Sequence, residues 1–181
     1  MPAFFRVYLI LTNPLTPNNN NSQLHTLQPY TLNSTLITDS QLSTLNSQLK
    51  VLIDKKLLDI LTEQAKASPR LRMNYDLRNT PDDQSQRMLN ALEPSTVMPI
   101  HRHRNTSETV VVLRGKVKWL YYNDKGELTE EILVESDGDI RGLSVPVGQW
   151  HSLECLESGS VILEAKDGPW EAMKEEDMLS D

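Results

Sequence analysis

From Leu52 onward the apolar positions of the chain change period, and before Leu52 they keep none. Leu57, Leu58, Leu61 and Ala65 recur at helical spacing, with Asp54 suited to cap the start of that helix and Ser68-Pro69 to end it. Met88, Leu89 and Leu92 predict a second, short helix, opened by Asp82 or Asp83 and closed by Pro94. Beyond it the pattern turns to short runs rich in β-branched and aromatic residues: Thr96 to His101, Thr109 to Arg114, Val117 to Tyr122, Leu128 to Val134, Ile140 to Val145, His151 to Leu156 and Val161 to Lys166. Arg114-Gly115, Asn123 to Gly126, Ser136 to Gly138, Pro146 to Gly148 and Ser158-Gly159 punctuate them as turns. The expected fold class is mainly β, a sandwich or barrel preceded by two short helices.

Composition separates this body from what precedes it. Residues 1–49 carry only Arg6 and Asp39 as charges and no glycine, so the whole net charge of −7 belongs to the chain from Lys50 onward. The leading part repeats itself: Ser22 to Leu27 returns as Ser40 to Leu45, and Asn18 to Asn21 form an asparagine run. Such low complexity, without a period, predicts a disordered N-terminal tail over 1–49, and translated upstream sequence with the natural start near Lys50 is one expectation for it. The apolar stretch Phe4 to Leu11 is broken by Arg6 and stopped by Asn13-Pro14, too short for a membrane span and without the basic start of a signal peptide. The expectation is therefore a cytoplasmic protein with no membrane attachment. The acidic balance argues against a nucleic-acid partner, and a single cysteine, Cys155, fits a reducing compartment and a buried, unreactive thiol.

The chemistry concentrates in HRHRNTSETVVVLRG, residues 101–115. In an extended chain alternate side chains share a face, so His101 and His103 can converge while Arg102 and Arg104 point away. Glu108 follows after a short loop, and PVGQWH sets His151 just past a proline-glycine turn. Three imidazoles and a carboxylate suit one divalent transition ion, Fe, Mn, Ni, Cu or Zn, and four protein ligands would leave positions open for water or substrate. Taken singly, the same residues also read as a solvated basic loop, an exposed strand-end charge and a partly buried structural histidine.

The spacing His101-x-His103, four residues, Glu108, six residues, Gly115 resembles the first cupin motif, and Pro146-x-Gly148, two residues, His151 resembles the second. Ser95 stands where the first motif usually begins with glycine, Ile140 where the second does, and Cys155 at its usual closing asparagine. The resemblance implies a cupin barrel over 95–172, a small double-stranded β-barrel or jelly roll, after a helical lead-in over 50–94 and before an acidic C-terminal tail, 173–181. It also implies one metal held by His101, His103, Glu108 and His151, and a homodimer as a common arrangement. A narrower resemblance runs over residues 50–172, through LIDKKLLDILTEQAKASPRLRMNYDLR, QRMLNALEP, HRH, VVVLRG, PVGQWH and LEAKDGPW. It is to the WbuC family of cupin metalloproteins and implies a link to bacterial surface polysaccharide, O-antigen or capsule, without supplying a reaction.

Further candidates lie around this set. Arg70, Arg72, Asn74 and Arg78 form a basic stretch between the two expected helices that could clamp a phosphate or sugar nucleotide, or simply pair with acidic groups. Trp119, Tyr121 and Trp150 could stack on a sugar ring or fill the core. Glu164 and Lys166 share a face of the last strand and are the candidate catalytic pair, although an ion pair between sheets explains them too. The expected function is a metal-dependent enzyme on a sugar or sugar nucleotide, of isomerase or epimerase type. A non-catalytic sugar-binding module, an Fe(II) dioxygenase and a structural metal staple are the rivals.

Overall fold

The computed structural model describes residues 51–179. The expected tail at 1–49 and the expectation about the native start lie outside the described residues. Lys55–Ala67 form helix α1, capped as expected: Asp54 Oδ1 accepts from the Leu57 N–H at 2.9 Å. Its buried stripe, Leu58, Leu61 and Ala65, packs with Leu89, Ala91 and Val161.

Ten strands follow: β1 (Arg72–Asp76), β2 (Ser85–Leu92), β3 (Ile100–His101), β4 (Glu108–Arg114), β5 (Lys116–Tyr122), β6 (Leu128–Glu135), β7 (Gly142–Val145), β8 (Trp150–Cys155), β9 (Ser160–Asp167) and β10 (Met178–Leu179). They form two five-stranded antiparallel sheets, ordered β1-β2-β9-β4-β7 and β10-β3-β8-β5-β6. The inner faces meet in one apolar cluster: Leu92, Val110 and Ile162 from the first sheet touch Val117, Trp119 and Leu153 from the second. The outer face of the first sheet carries α1. The chain is thus mainly β, as the strand-length runs predict. Among the described residues no helix is long and apolar enough to cross a membrane.

The second expected helix does not form; Ser85–Leu92 is strand β2. It lies between α1 on one side and the inter-sheet core on the other, so Leu89 and Ala91 point one way, Leu92 the other, and all three are buried. A strand covered on both faces loses its two-residue period, and Leu89 and Leu92 then mimic a helical spacing. Asp83 does cap backbone N–H groups, but those of Asn79 and Thr80 in the β1–β2 turn rather than those of a following helix. The basic stretch between helices is accordingly strand β1 with its flanks. The expected strand Thr96 to His101 narrows to Ile100–His101, because Thr96 is committed to a turn, its N–H donating to Glu93 O and its hydroxyl to Arg70 O. Ser95 adopts φ 72°, the left-handed conformation that favours glycine.

The acidic C-terminal stretch returns to the body. After a 3-10 turn at Glu175–Asp177, β10 pairs with β3, Met178 opposite His101. Asp177 accepts from both Arg102 and Arg104, and the Arg102 N–H donates to the Asp177 carbonyl at 3.1 Å.

Candidate metal centre

Register sets the polar end of the interior. On β8, His151, Leu153 and Cys155 stand opposite Tyr121, Trp119 and Val117 of β5, so His151 continues an apolar column toward the open end. His101 pairs with His151 across β3 and β8. His103 leaves β3 on the same side, and its carbonyl accepts from the Gly148 N–H at 2.8 Å, which ties the HRH segment to the PVGQWH turn. From the facing sheet, Glu108 opens β4 beside Lys166 of β9.

The ligand atoms of His101, His103 and His151 all lie within 4.8 Å of one another, a group that can hold a metal ion. His101 Nδ1 is 3.0 Å from Pro99 O and His151 Nδ1 is 2.8 Å from Gln149 O. A carbonyl can only accept, so each Nδ1 carries the hydrogen and each Nε2 presents a lone pair. His151 is 1% exposed, and its Nε2 is buried with no hydrogen-bond partner. A bare acceptor of that kind, beside two more imidazoles, fits a metal ligand. Burial, and then the neighbouring His151, push His101 down to about 4, which keeps its ring neutral and able to ligate near pH 7. Burial lowers His151 as well.

Glu108 adjoins the three histidines: its Oε2 lies 2.9 Å from His103 Nε2, 3.4 Å from Lys166 Nζ and 4.0 Å from His151 Nε2. The contact with His103 lacks hydrogen-bond alignment, and that buried oxygen has no hydrogen-bond partner. Burial alone would raise the Glu108 carboxyl, but His103, Lys166 and His151 together hold it below the ordinary range. Lys166 Nζ also approaches His103 Nε2 at 3.2 Å. Glu164 lies on β9 two residues from the core residue Ile162, and Asn90 of β2 hydrogen-bonds its carboxyl. Burial, and then the Glu108 charge, push it up to about 7.

Other residues singled out in the sequence are placed as follows. Tyr121 lies on the inner face beside His151, partly buried, its hydroxyl pushed up by burial and by Glu130. Trp119, expected as a sugar platform, is instead 2% exposed in the core, because it faces inward on a central strand; its ring stacks on His151 at 5.6 Å and 14°. Trp150 turns outward under the Arg102 guanidinium, 4.3 Å from the ring centre. Arg102 and Arg104 point away from the histidines, as strand alternation predicts. Cys155 is buried, its thiol against Leu92 O and Glu157 O. Arg78 pairs with Asp76. Arg70 and Arg72 line a different cavity. Asn90 escaped sequence reading because β2 read as a helix, which hid its inward face, and Asp177 escaped because nothing local tied the C-terminal stretch to β3.

Two facing antiparallel sheets carry a three-histidine group, with His151 buried and His101 and His103 partly buried, that can hold a metal ion. Residues 53–134 match a family model described as a domain of unknown function, DUF6016. No curated protein matches the chain. Among solved structures it is similar to the capsular polysaccharide assembling protein CapF of Staphylococcus aureus, at 20% identity over 59% of this chain and 28% of that one, TM-score 0.47. KdgF of Halomonas sp. is 16% identical over 57% of this chain and 84% of that one, TM-score 0.45. Oxalate decarboxylase of Bacillus subtilis, in a structure described for its Mn(II) centres, is 19% identical over 60% and 27%, TM-score 0.44. The chain spans less than a third of the length of CapF and of the decarboxylase.

Proposed function

We propose that the chain is a metal-binding cupin acting on a sugar or sugar nucleotide, with His101, His103, Glu108 and His151 as ligands of one divalent transition ion and Glu164 and Lys166 as the proton-handling pair. The observation that carries this reading is the buried, unpartnered Nε2 of His151 facing two further imidazoles within 4.8 Å. When bound, such an ion supplies Lewis-acid polarisation of a ligand carbonyl or hydroxyl. The residues do the rest. Glu164 has a carboxylate on the interior face, hydrogen-bonded by Asn90, able to take a proton from a carbon beside a carbonyl and return it. Lys166, held between Glu108 and His103, offers a positive charge and a proton to oxygen. Tyr121 would orient the ligand from the opposite sheet. Placement in a cytoplasmic homodimer serving surface polysaccharide synthesis belongs to the same reading and is supported by the motif resemblance alone.

The test has two stages. Metal analysis of the purified full chain is expected to find about one ion per chain, lost in a His101→Ala/His103→Ala double variant. Metal-loaded protein is then incubated in D2O with a panel of nucleotide sugars, and incorporation of solvent deuterium is followed by NMR. Glu164→Gln should slow exchange by about 10²–10⁴-fold. Metal content unchanged in the double variant overturns the ligand set. Binding without exchange favours a non-catalytic module, and oxygen uptake with iron favours a dioxygenase.

A further inference from the structure

Away from the histidine group, Pro69, Arg70, Leu71, Arg72, Ser95 and Val97 line an open cavity of about 240 Å³. None of the candidate metal ligands, nor Glu164 or Lys166, lines it. In the register Arg72 stands opposite Leu92, and Leu92 opposite Ser160, six residues along β9 from Lys166. Two guanidinium groups share this cavity, and no carboxylate of the described residues forms an ion pair with either. Arg78, Arg87, Arg102, Arg104 and Arg114 all have an acidic partner; Arg70 and Arg72 have none, and the other such arginine among the described residues, Arg141, donates to the Gly138 carbonyl. Arg72 is partly buried and spends one nitrogen on the Val97 carbonyl, beside Met98 Sδ at 3.3 Å. Its pKa falls through burial and through Arg70, a like charge that nothing nearby offsets.

The backbone around the pair is fixed in costly conformations. Leu71 at φ 54° and Ser95 at φ 72° are the two non-glycine residues with positive φ among those described, and both line the cavity. Hydrogen bonds hold them there: Leu71 N–H to Ser68 O, Glu93 N–H to Leu71 O, and Thr96 N–H to Glu93 O. Two arginines and the exposed Ser95 therefore line one concave site that holds no carboxylate partner for either guanidinium among the described residues.

We infer that this cavity is a second ligand site, one that takes the phosphate group of a small molecule between Arg70 and Arg72. A phosphate monoester presents three terminal oxygens, each able to accept more than one hydrogen bond, so it can bridge two guanidinium groups and a hydroxyl, where a carboxylate has two oxygens in one plane. The cavity is larger than a bare oxyanion needs, so the phosphate belongs to an organic ester or diphosphate. This inference stands independently of the metal reading.

Titration calorimetry of the full, metal-loaded chain with inorganic phosphate, pyrophosphate and UDP tests it, with acetate as the carboxylate control. Saturable binding of UDP and pyrophosphate is expected, weakening as salt rises. Arg70→Gln, at an exposed side chain with no partner of its own, should weaken it by about tenfold or more. Arg72→Gln should do the same, and circular dichroism will show whether it stays folded; Arg70→Gln carries the test if it does not. The His101→Ala/His103→Ala variant, which removes any contribution of the metal centre, should keep a saturable UDP site that the added Arg70→Gln change weakens. Absence of saturable binding by all three phosphate probes overturns the proposal, as does unchanged affinity in Arg70→Gln. Acetate binding as tightly as pyrophosphate rejects the phosphate class. Loss of UDP binding only in the histidine variant moves the anion to the metal centre and likewise overturns it.

Discussion

Gly115 joins β4 to β5 at φ 76°, and a methyl group there would fall on Ser160 Oγ and 2.9 Å from Ser160 Cα. Ser160 has no room to withdraw, being fully buried, with its Oγ accepting from the Lys116 N–H at 3.0 Å. Gly115→Ala therefore combines a left-handed backbone penalty with overpacking, and a loss of about 2 kcal/mol or more is expected, read as a lower urea midpoint at unchanged slope. The glycine was legible as the end of a strand; Ser160, its reason, was not, because it comes from β9, four strands further along the chain. The histidines behaved in the same way. Strand alternation was enough to align His101 with His103, but only the fold brings Lys166 to 3.2 Å from His103. Glu164 supplies a pH test. Its carboxyl is raised from 4.5 to about 7, so the folded chain keeps a proton that the unfolded chain releases. The associated stability is complete below about pH 4.5 and is lost as pH rises through about 7. In the metal-free protein, Glu164→Gln, which cannot titrate, should gain on the wild type across that window in chemical denaturation; parallel curves would remove the raised carboxyl from the account.

Elements were legible where one face stays open to solvent and obscure where both are covered. Helix α1 has a wet face and a dry one, so its period and its cap were both readable. β2 has α1 on one side and the core on the other, and its sequence keeps no strand period to read. β10 is only two residues long and carries no pattern of its own. Yet it secures the strand that bears His101. β3 is also two residues long, paired with β8 through His101 and His151 alone, and its other edge is covered by β10. Asp177 fastens that cover by accepting from Arg102 and Arg104 on either side of His103. Removing its carboxylate leaves the histidines untouched but frees the edge. For Asp177→Ala, amide exchange at His101 and Arg102 should quicken by an amount equal to about 1–2 kcal/mol of local opening, while α1 and β9 keep wild-type protection. Uniform acceleration over all amides would assign Asp177 to global stability instead.

At the scale of the molecule, the candidate metal centre joins the two sheets. His101 and His151 stand on the β10-β3-β8-β5-β6 sheet, whereas Glu108 opens a strand of the other, with Lys166 beside it. An ion bound by ligands from both sheets binds the folded chain and not the unfolded one, so it stabilises by mass action, about 2.7 kcal/mol at a free concentration 100-fold above Kd. Thermal unfolding should accordingly shift upward by several degrees on loading and return on chelation. Glu108→Ala separates the contributions of the two sheets. It leaves the three-histidine group on one side of the interior and removes the proposed acidic ligand from the other, so the variant should still bind the ion, more weakly, and with a smaller gain in melting temperature at equal saturation. The comparison must be made at equal saturation because weaker binding alone would shrink the shift. If Glu108→Ala gains as much as the wild type at full loading, the ion is held by the histidines of one sheet, and Glu108 serves to balance Lys166 rather than to close the coordination sphere.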